Sequence, residues 1–122
     1  PGKNYQVFEV NPYLRIIEPE ISVIGRKVVA KFKLEQVTSN EVYRISLFAH
    51  SHIDVSNKLN IVNRTEELNR SITDGEAFEL SINLDDYTST LVPGKSYYFR
   101  IGAQSHGSET KYNYSASVQL DI

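Results

Sequence analysis

The stretch "LVPGKSYYFRIGAQ", residues 91–104, decides the fold. In Val92-Pro93-Gly94-Lys95 the proline presets φ for the first central position of a turn, and the glycine supplies positive φ at the second, as a type II turn requires. Leu91, just ahead, can plug a core beneath that turn. Beyond it the chain alternates, with Tyr97, Phe99, Ile101 and Ala103 on one face and Tyr98 and Arg100 on the other. A period of two means a strand with one buried and one solvated face. Tyr97 then enters that strand facing inward, where its hydroxyl can bond back to the backbone of the corner.

The same period recurs on both sides. "KVVAKFKLE" gives Val28, Ala30, Phe32 and Leu34 against Lys31 and Lys33; "VYRISLFAH" gives Tyr43, Ile45, Leu47 and Ala49. "FELSINL" sets Phe78, Leu80, Ile82 and Leu84 against Glu79, Ser81 and Asn83, and "ASVQLDI" gives Ala116, Val118, Leu120 and Ile122. Before these, "YLRII" and "ISVI" read as two pieces of a first strand broken at Pro19, since proline lacks the ladder N–H. A tight turn at Gly25 follows. Residues 51–76 are the least regular; they hold a candidate edge strand at Leu59–Val62 and a helix-start pattern in Asn63 with Glu66. About seven strands separated by turn signals predict an all-β, two-sheet antiparallel sandwich spanning residues 1–122 as one domain.

Leu91, Pro93, Gly94 and Tyr97 together resemble the tyrosine corner of immunoglobulin-like sandwiches, and the spacing Leu-x-Pro-Gly-x-x-Tyr resembles its fibronectin type III form. A fibronectin domain carries a core tryptophan on its second strand; this chain has none, and Phe32 stands as the substitute. Three further segments, "NPYLRI" (11–16), "SYYFRIGAQS" (96–105) and "KYNYS" (111–115), resemble the C-terminal domain of an uncharacterised family of exported Bacteroidetes lipoproteins. That resemblance implies a C-terminal module, a place at the outer membrane or cell surface, and a genomic setting beside SusC/SusD-type glycan uptake. It implies no catalytic residues.

Composition narrows the function classes. Net charge is −2 with no basic block, so nothing here attracts a phosphate backbone, and nucleic acid is not an expected partner. The absence of cysteine excludes disulfides and thiolate zinc sites. No apolar run approaches the roughly 18 residues of a membrane span, so membrane contact is expected only through an anchor outside this segment. The chain starts at Pro1 without a signal-like stretch and reads as part of something longer.

Several clusters could carry chemistry. His50, His52 and Asp54 in "HSHID" alternate as metal ligands on a strand would, but His106 is expected at the opposite pole and cannot complete the set. Ser105 in "AQSHG" resembles a nucleophile elbow, yet an elbow must turn into a helix, whereas here another strand follows a hairpin loop turning at Gly107. Asp85-Asp86 and Glu66-Glu67 are not placed into a cleft, so glycosidase chemistry has no support. "DDYTST" is too sparse for a calcium loop. Asn63, Asn69 and Asn113 fall in N-x-[ST] triplets, as chance allows. No catalysis, metal or cofactor is expected.

What remains is a surface. Phe48, His50, Tyr98 and Arg100 share the outward faces of the third and sixth strands, with Gln119 on the last, and Tyr112 and Tyr114 form a second aromatic group near His106. Phe48 and Tyr98 are expected side by side and exposed. The chain is therefore expected to be a non-catalytic structural or interaction domain that docks a neighbouring domain or another surface protein. The alternative is a carbohydrate-binding module that stacks sugars on Phe48, Tyr98, Tyr112 or Tyr114, with Arg100 beside them.

Overall fold

The computed structural model describes residues 14–36, 41–106 and 112–122. Eight strands follow in order: β1 (Leu14–Ile24), β2 (Lys27–Gln36), β3 (Val42–His50), β4 (Val62–Arg70), β5 (Glu76–Asn83), β6 (Ser96–Ser105), β7 (Asn113–Tyr114) and β8 (Val118–Asp121). They form two antiparallel sheets, β1-β2-β5 and β4-β3-β6-β7, with β8 continuing the line of β7 along β6. The core lies between the sheets. Phe32, Leu34 and Leu80 from the first meet Ile45, Leu47, Phe99 and Ile101 from the second, all buried. No helix among the described residues is long and apolar enough to cross a membrane.

Where the sequence pattern changes phase, a bulge absorbs the change. The two pieces of the first strand are one strand: Ile16 and Leu14 point inward on even numbers, Ile21 and Val23 on odd ones. Glu18 and Pro19 together stand opposite the single residue Phe32, one residue in excess, with Glu18 at φ 52, and the register steps from Ile17↔Lys33 to Glu20↔Lys31. Proline is tolerated there because β1 is an edge strand. A second bulge corrects β3. Tyr43 does not join Ile45, Leu47 and Ala49 in the core; the register slips at Tyr43, and Val42 takes the buried place.

Residues 62–70 form a strand, not a helix start, and the edge strand begins where Leu59–Val62 was expected to end. Only Val62 and Leu68 pack inward along it, so its apolar alternation is nearly absent from the sequence. At its far end Arg70 and Glu76 pair through the two terminal guanidinium nitrogens. The hydrogen bond from Arg70, together with one from the Thr73 N–H, holds the Glu76 carboxyl below the usual carboxylate range. The last strand also departs from expectation: Ala116 is exposed, and the ladder is interrupted between β7 and β8. There the Ser115 hydroxyl accepts the Ile101 N–H at 3.1 Å and donates to the Ala116 carbonyl, taking the place of a backbone rung.

The corner before β6 is closed by several bonds. The Val92 carbonyl accepts the Lys95 N–H at 3.2 Å across the turn, and Gly94 sits at φ 87, where a side chain would be strained. The Tyr97 hydroxyl accepts the Val92 N–H at 2.9 Å, and Leu91 is fully buried below. Gly94 N–H donates to the Ile122 carbonyl at 2.7 Å, which ties the corner to the end of β8. Removing the hydroxyl would leave the Val92 N–H without this acceptor. Tyr97→Phe is expected to lower the unfolding free energy by about 1 kcal/mol, read as a lower urea midpoint at unchanged m-value.

Candidate functional site

The outward face of the five-stranded sheet can be followed row by row from its registers. Nearest the 51–61 loop, His50, Tyr98 and Gln119 are successive cross-strand partners. The next row holds Asn63, Phe48 and Arg100; then come Thr65, Ser46, Gly102 and Tyr114; then Glu67, Arg44 and Gln104. Phe48 therefore lies opposite Arg100, and Tyr98 lies one row away, opposite His50. The expected Phe48–Tyr98 pair does not form.

Nor is Phe48 exposed. It retains 2% of its accessible surface because Tyr112 and Tyr114 fold over it, the first edge-on at 5.6 Å between centroids and 79°, the second tilted at 6.2 Å. The two tyrosines stack on each other at 5.7 Å and 21°. Arg44 lies over the Tyr112 ring at 5.5 Å and over Tyr43 at 4.8 Å, while Arg100 lies over Tyr114 at 4.7 Å. Such cation–π contacts contribute about 0.5–1 kcal/mol each, more where water is excluded. Each guanidinium is also anchored: Arg44 donates to the Gln104 carboxamide at 2.9 Å, and Arg100 donates to the Ser115 and Val55 carbonyls at 2.7 and 3.3 Å. The Tyr114 hydroxyl accepts the Asn57 N–H at 3.1 Å, which joins the 51–61 loop to the stack.

Order along β6 shows what this means for ligand binding. Tyr114 sits at the level of Gly102, with Arg100 on one side along the strand and Tyr112 on the other. Sugar stacking needs a free ring face, and these rings are committed to each other and to arginine. Arg44, Gln104, Asn57 and Ser115 carry this arrangement and were not singled out from sequence. The one advance signal was Gly102, since glycine inside a strand marks a close approach from another group. A Cβ built there would stand 2.8 Å from Phe48 Cε2, 3.0 Å from Tyr112 Cδ1 and 3.3 Å from Tyr114 Cε1.

The other clusters do not converge. His50 Nδ1 accepts the His52 N–H at 3.0 Å and His52 Nδ1 accepts the Asp54 N–H at 3.1 Å, so these nitrogens serve the backbone turn. Among the described residues no three His, Cys, Asp or Glu side chains are grouped to hold a metal. His50 pairs with Tyr98 whereas Val42 pairs with Ser105, next to His106, so the two histidines stand roughly 25 Å apart along the sheet. Ser105 ends β6 and is buried; Gly107, like Asn11 to Tyr13 and Lys111, lies outside the described residues. Asp85 and Asp86 sit in a short 3-10 turn (Leu84–Asp86), with Asp85 bonded to Arg26 at 3.0 Å. Glu66 and Glu67 are exposed neighbours on β4 and point to opposite faces. Of the N-x-[ST] asparagines, Asn63 and Asn69 are on β4 and Asn113 on β7.

Against known proteins, the family DUF3823_C, a domain of unknown function, matches residues 14–119. The chain belongs to that family. No curated protein matches it. Among solved structures, a "putative carbohydrate binding protein" from Bacteroides uniformis ATCC 8492 is 28% identical, with TM-score 0.83 over 91% of this chain and 58% of its own. DUF3823 family proteins from Parabacteroides merdae ATCC 43184 (22% identical, TM-score 0.76, 90% of this chain and 53% of that one) and Bacteroides ovatus ATCC 8483 (18%, 0.74, 90% and 55%) share the fold. The DUF3823_C chain thus spans little more than half the length of these relatives. In this DUF3823_C domain, Gly102→Ala is expected to cost about 1–3 kcal/mol of stability, because the aromatic stack must shift to admit a methyl group. Chemical denaturation monitored by tyrosine fluorescence would measure it.

Proposed function

We propose that this DUF3823_C domain is a non-catalytic interaction module, the C-terminal part of an exported cell-surface protein concerned with glycan uptake. The observation that carries the proposal is the internally committed outward face. The Phe48, Tyr112 and Tyr114 rings are stacked and Arg44 and Arg100 anchored, which makes a stiff surface for contact, and among the described residues of this face no acid, base or nucleophile is poised in a cleft. The fibronectin type III-like corner supports the same view, since it fixes one end of a sandwich without creating a reactive site. The relatives are longer than this chain, which covers 53–58% of their length and so leaves room for a further domain, and the carbohydrate-binding description of the Bacteroides uniformis protein supports the link to glycans. Its partner would be that neighbouring domain or another surface protein.

A second view, direct carbohydrate contact, is favoured by one feature outside the stack: the row of His50, Tyr98 and Gln119, where an aromatic ring lies between two hydrogen-bonding side chains.

Deleting residues 14–122 from the longer protein in its native host tests the module. The truncated protein is expected to reach the surface while glycan capture and growth on the cognate polysaccharide fall. Unchanged capture and growth would count against the proposal, as would release of reducing sugar by the purified chain.

A further inference from the structure

We infer that His50, Tyr98 and Gln119 form a shallow binding site for a neutral pyranoside, a site that rests on the glycan-linked function proposed above and locates it away from the Tyr112–Tyr114 stack. The three residues occupy one row of the outward face on adjacent strands β3, β6 and β8. At about 4.8 Å per strand spacing, the row is roughly 10 Å wide, enough for one sugar ring and its equatorial hydroxyls.

Tyr98 differs from the other tyrosines of this face. Its ring is half-buried, and among the described residues no other ring or guanidinium lies against it, whereas Tyr112 and Tyr114 each have both kinds of contact. The part of the ring that stays exposed is thus not taken up by another described ring or cation, and it is this surface that would meet the C–H face of a pyranose. On one side, His50 has its protonation pattern set by the chain. Nδ1 accepts the His52 N–H at 3.0 Å, so in the neutral ring the proton sits on Nε2, which is then the donor available to a ligand. On the other side, the exposed Gln119 carboxamide can both donate and accept. A donor, a donor–acceptor pair and the Tyr98 hydroxyl match vicinal sugar hydroxyls, which also donate and accept. The row contains no Lys, Arg, Asp or Glu side chain, which favours a neutral sugar over a uronate or sulfated one.

The row has an apolar rim. Ile61 N–H donates to the Ala49 carbonyl at 2.8 Å, continuing the β3–β4 register so that Ile61 stands beside His50, with 41% of its surface exposed. Arg100, one row away, is turned from the site by its bonds to the Ser115 and Val55 carbonyls. A site this shallow gains from repeated epitopes on one polymer, so polysaccharide is the probe of choice.

Affinity electrophoresis of the 122-residue chain in gels containing β-glucan, arabinoxylan or galactomannan, with polygalacturonate as the charged comparison, tests the inference. Retardation by at least one neutral polymer is expected. Tyr98→Ala and Gln119→Ala should each weaken it at least about tenfold, while Tyr98→Phe keeps most of it. Circular dichroism would verify that each variant is folded, and the exposed Gln119 gives a variant that leaves the packing of the sheet untouched. Retardation that survives Tyr98→Ala, retardation by polygalacturonate alone, or none with any neutral polymer would overturn the site. The deletion experiment above judges the interaction module separately, so loss of the sugar site and loss of that broader role have different signatures.

Discussion

Strand β6 is the constraint on which the rest of the structure depends. It pairs with β3 along one edge and with β7 and β8 along the other, so its register sets the position of most of the five-stranded sheet. The Tyr97 hydroxyl, accepting the Val92 N–H, fixes where that strand begins relative to the corner. Once Tyr97 is pinned inward, Phe99, Ile101 and Ala103 must follow it into the core, and Tyr98, Arg100, Gly102 and Gln104 must face out. A slip of one residue would exchange the two sets. The corner is in turn held by the last residue described, through the paired backbone bonds of Gly94 and Lys95 with Ile122.

The outward set behaves as a second, smaller packing layer. Gly102 makes a gap in the row of side chains, Phe48 fills it from the neighbouring strand, and Tyr112 and Tyr114 close over the top. The short β7 has only two ladder residues, too few to hold the returning chain by backbone bonds alone. Ring stacking, the arginines and the Ser115 hydroxyl bond supply the remainder. Aromatic residues that look like a binding surface in isolation are thus what fastens the C-terminal segment to the sheet, and the sugar row inferred above lies beyond them.

The sheet edges are guarded by different means. β4 presents Arg64, Glu66, Glu67, Asn69 and Arg70, a polar edge on which pairing by another chain would bring charges together. β1 is bent by the Glu18–Pro19 bulge, which removes a ladder donor and breaks the register. Both devices are poor in apolar alternation, and for that reason they were hard to read in one dimension. The helix-start pattern of Asn63 and Glu66 is a local preference; the strand forms because β3 offers an open edge of backbone groups beside it.

By itself the sequence determined what local chemistry can enforce: a two-sheet antiparallel sandwich, the inward faces of β2, β5 and β6, and the turn at Pro93-Gly94, and it carries the pattern of the DUF3823_C family. These follow from side-chain period and from φ restrictions, which act within a few residues. Tertiary structure decided the bulges at Glu18–Pro19 and Tyr43, the strand at 62–70, the burial of Phe48 and the separation of Tyr98 from the stacked tyrosines. Each depends on which strands meet and in what register, and a one-residue bulge on one strand changes the cross-strand partner of every residue beyond it. Period identifies a face; only pairing tells which side chains share it, and whether a ring on that face is covered or free.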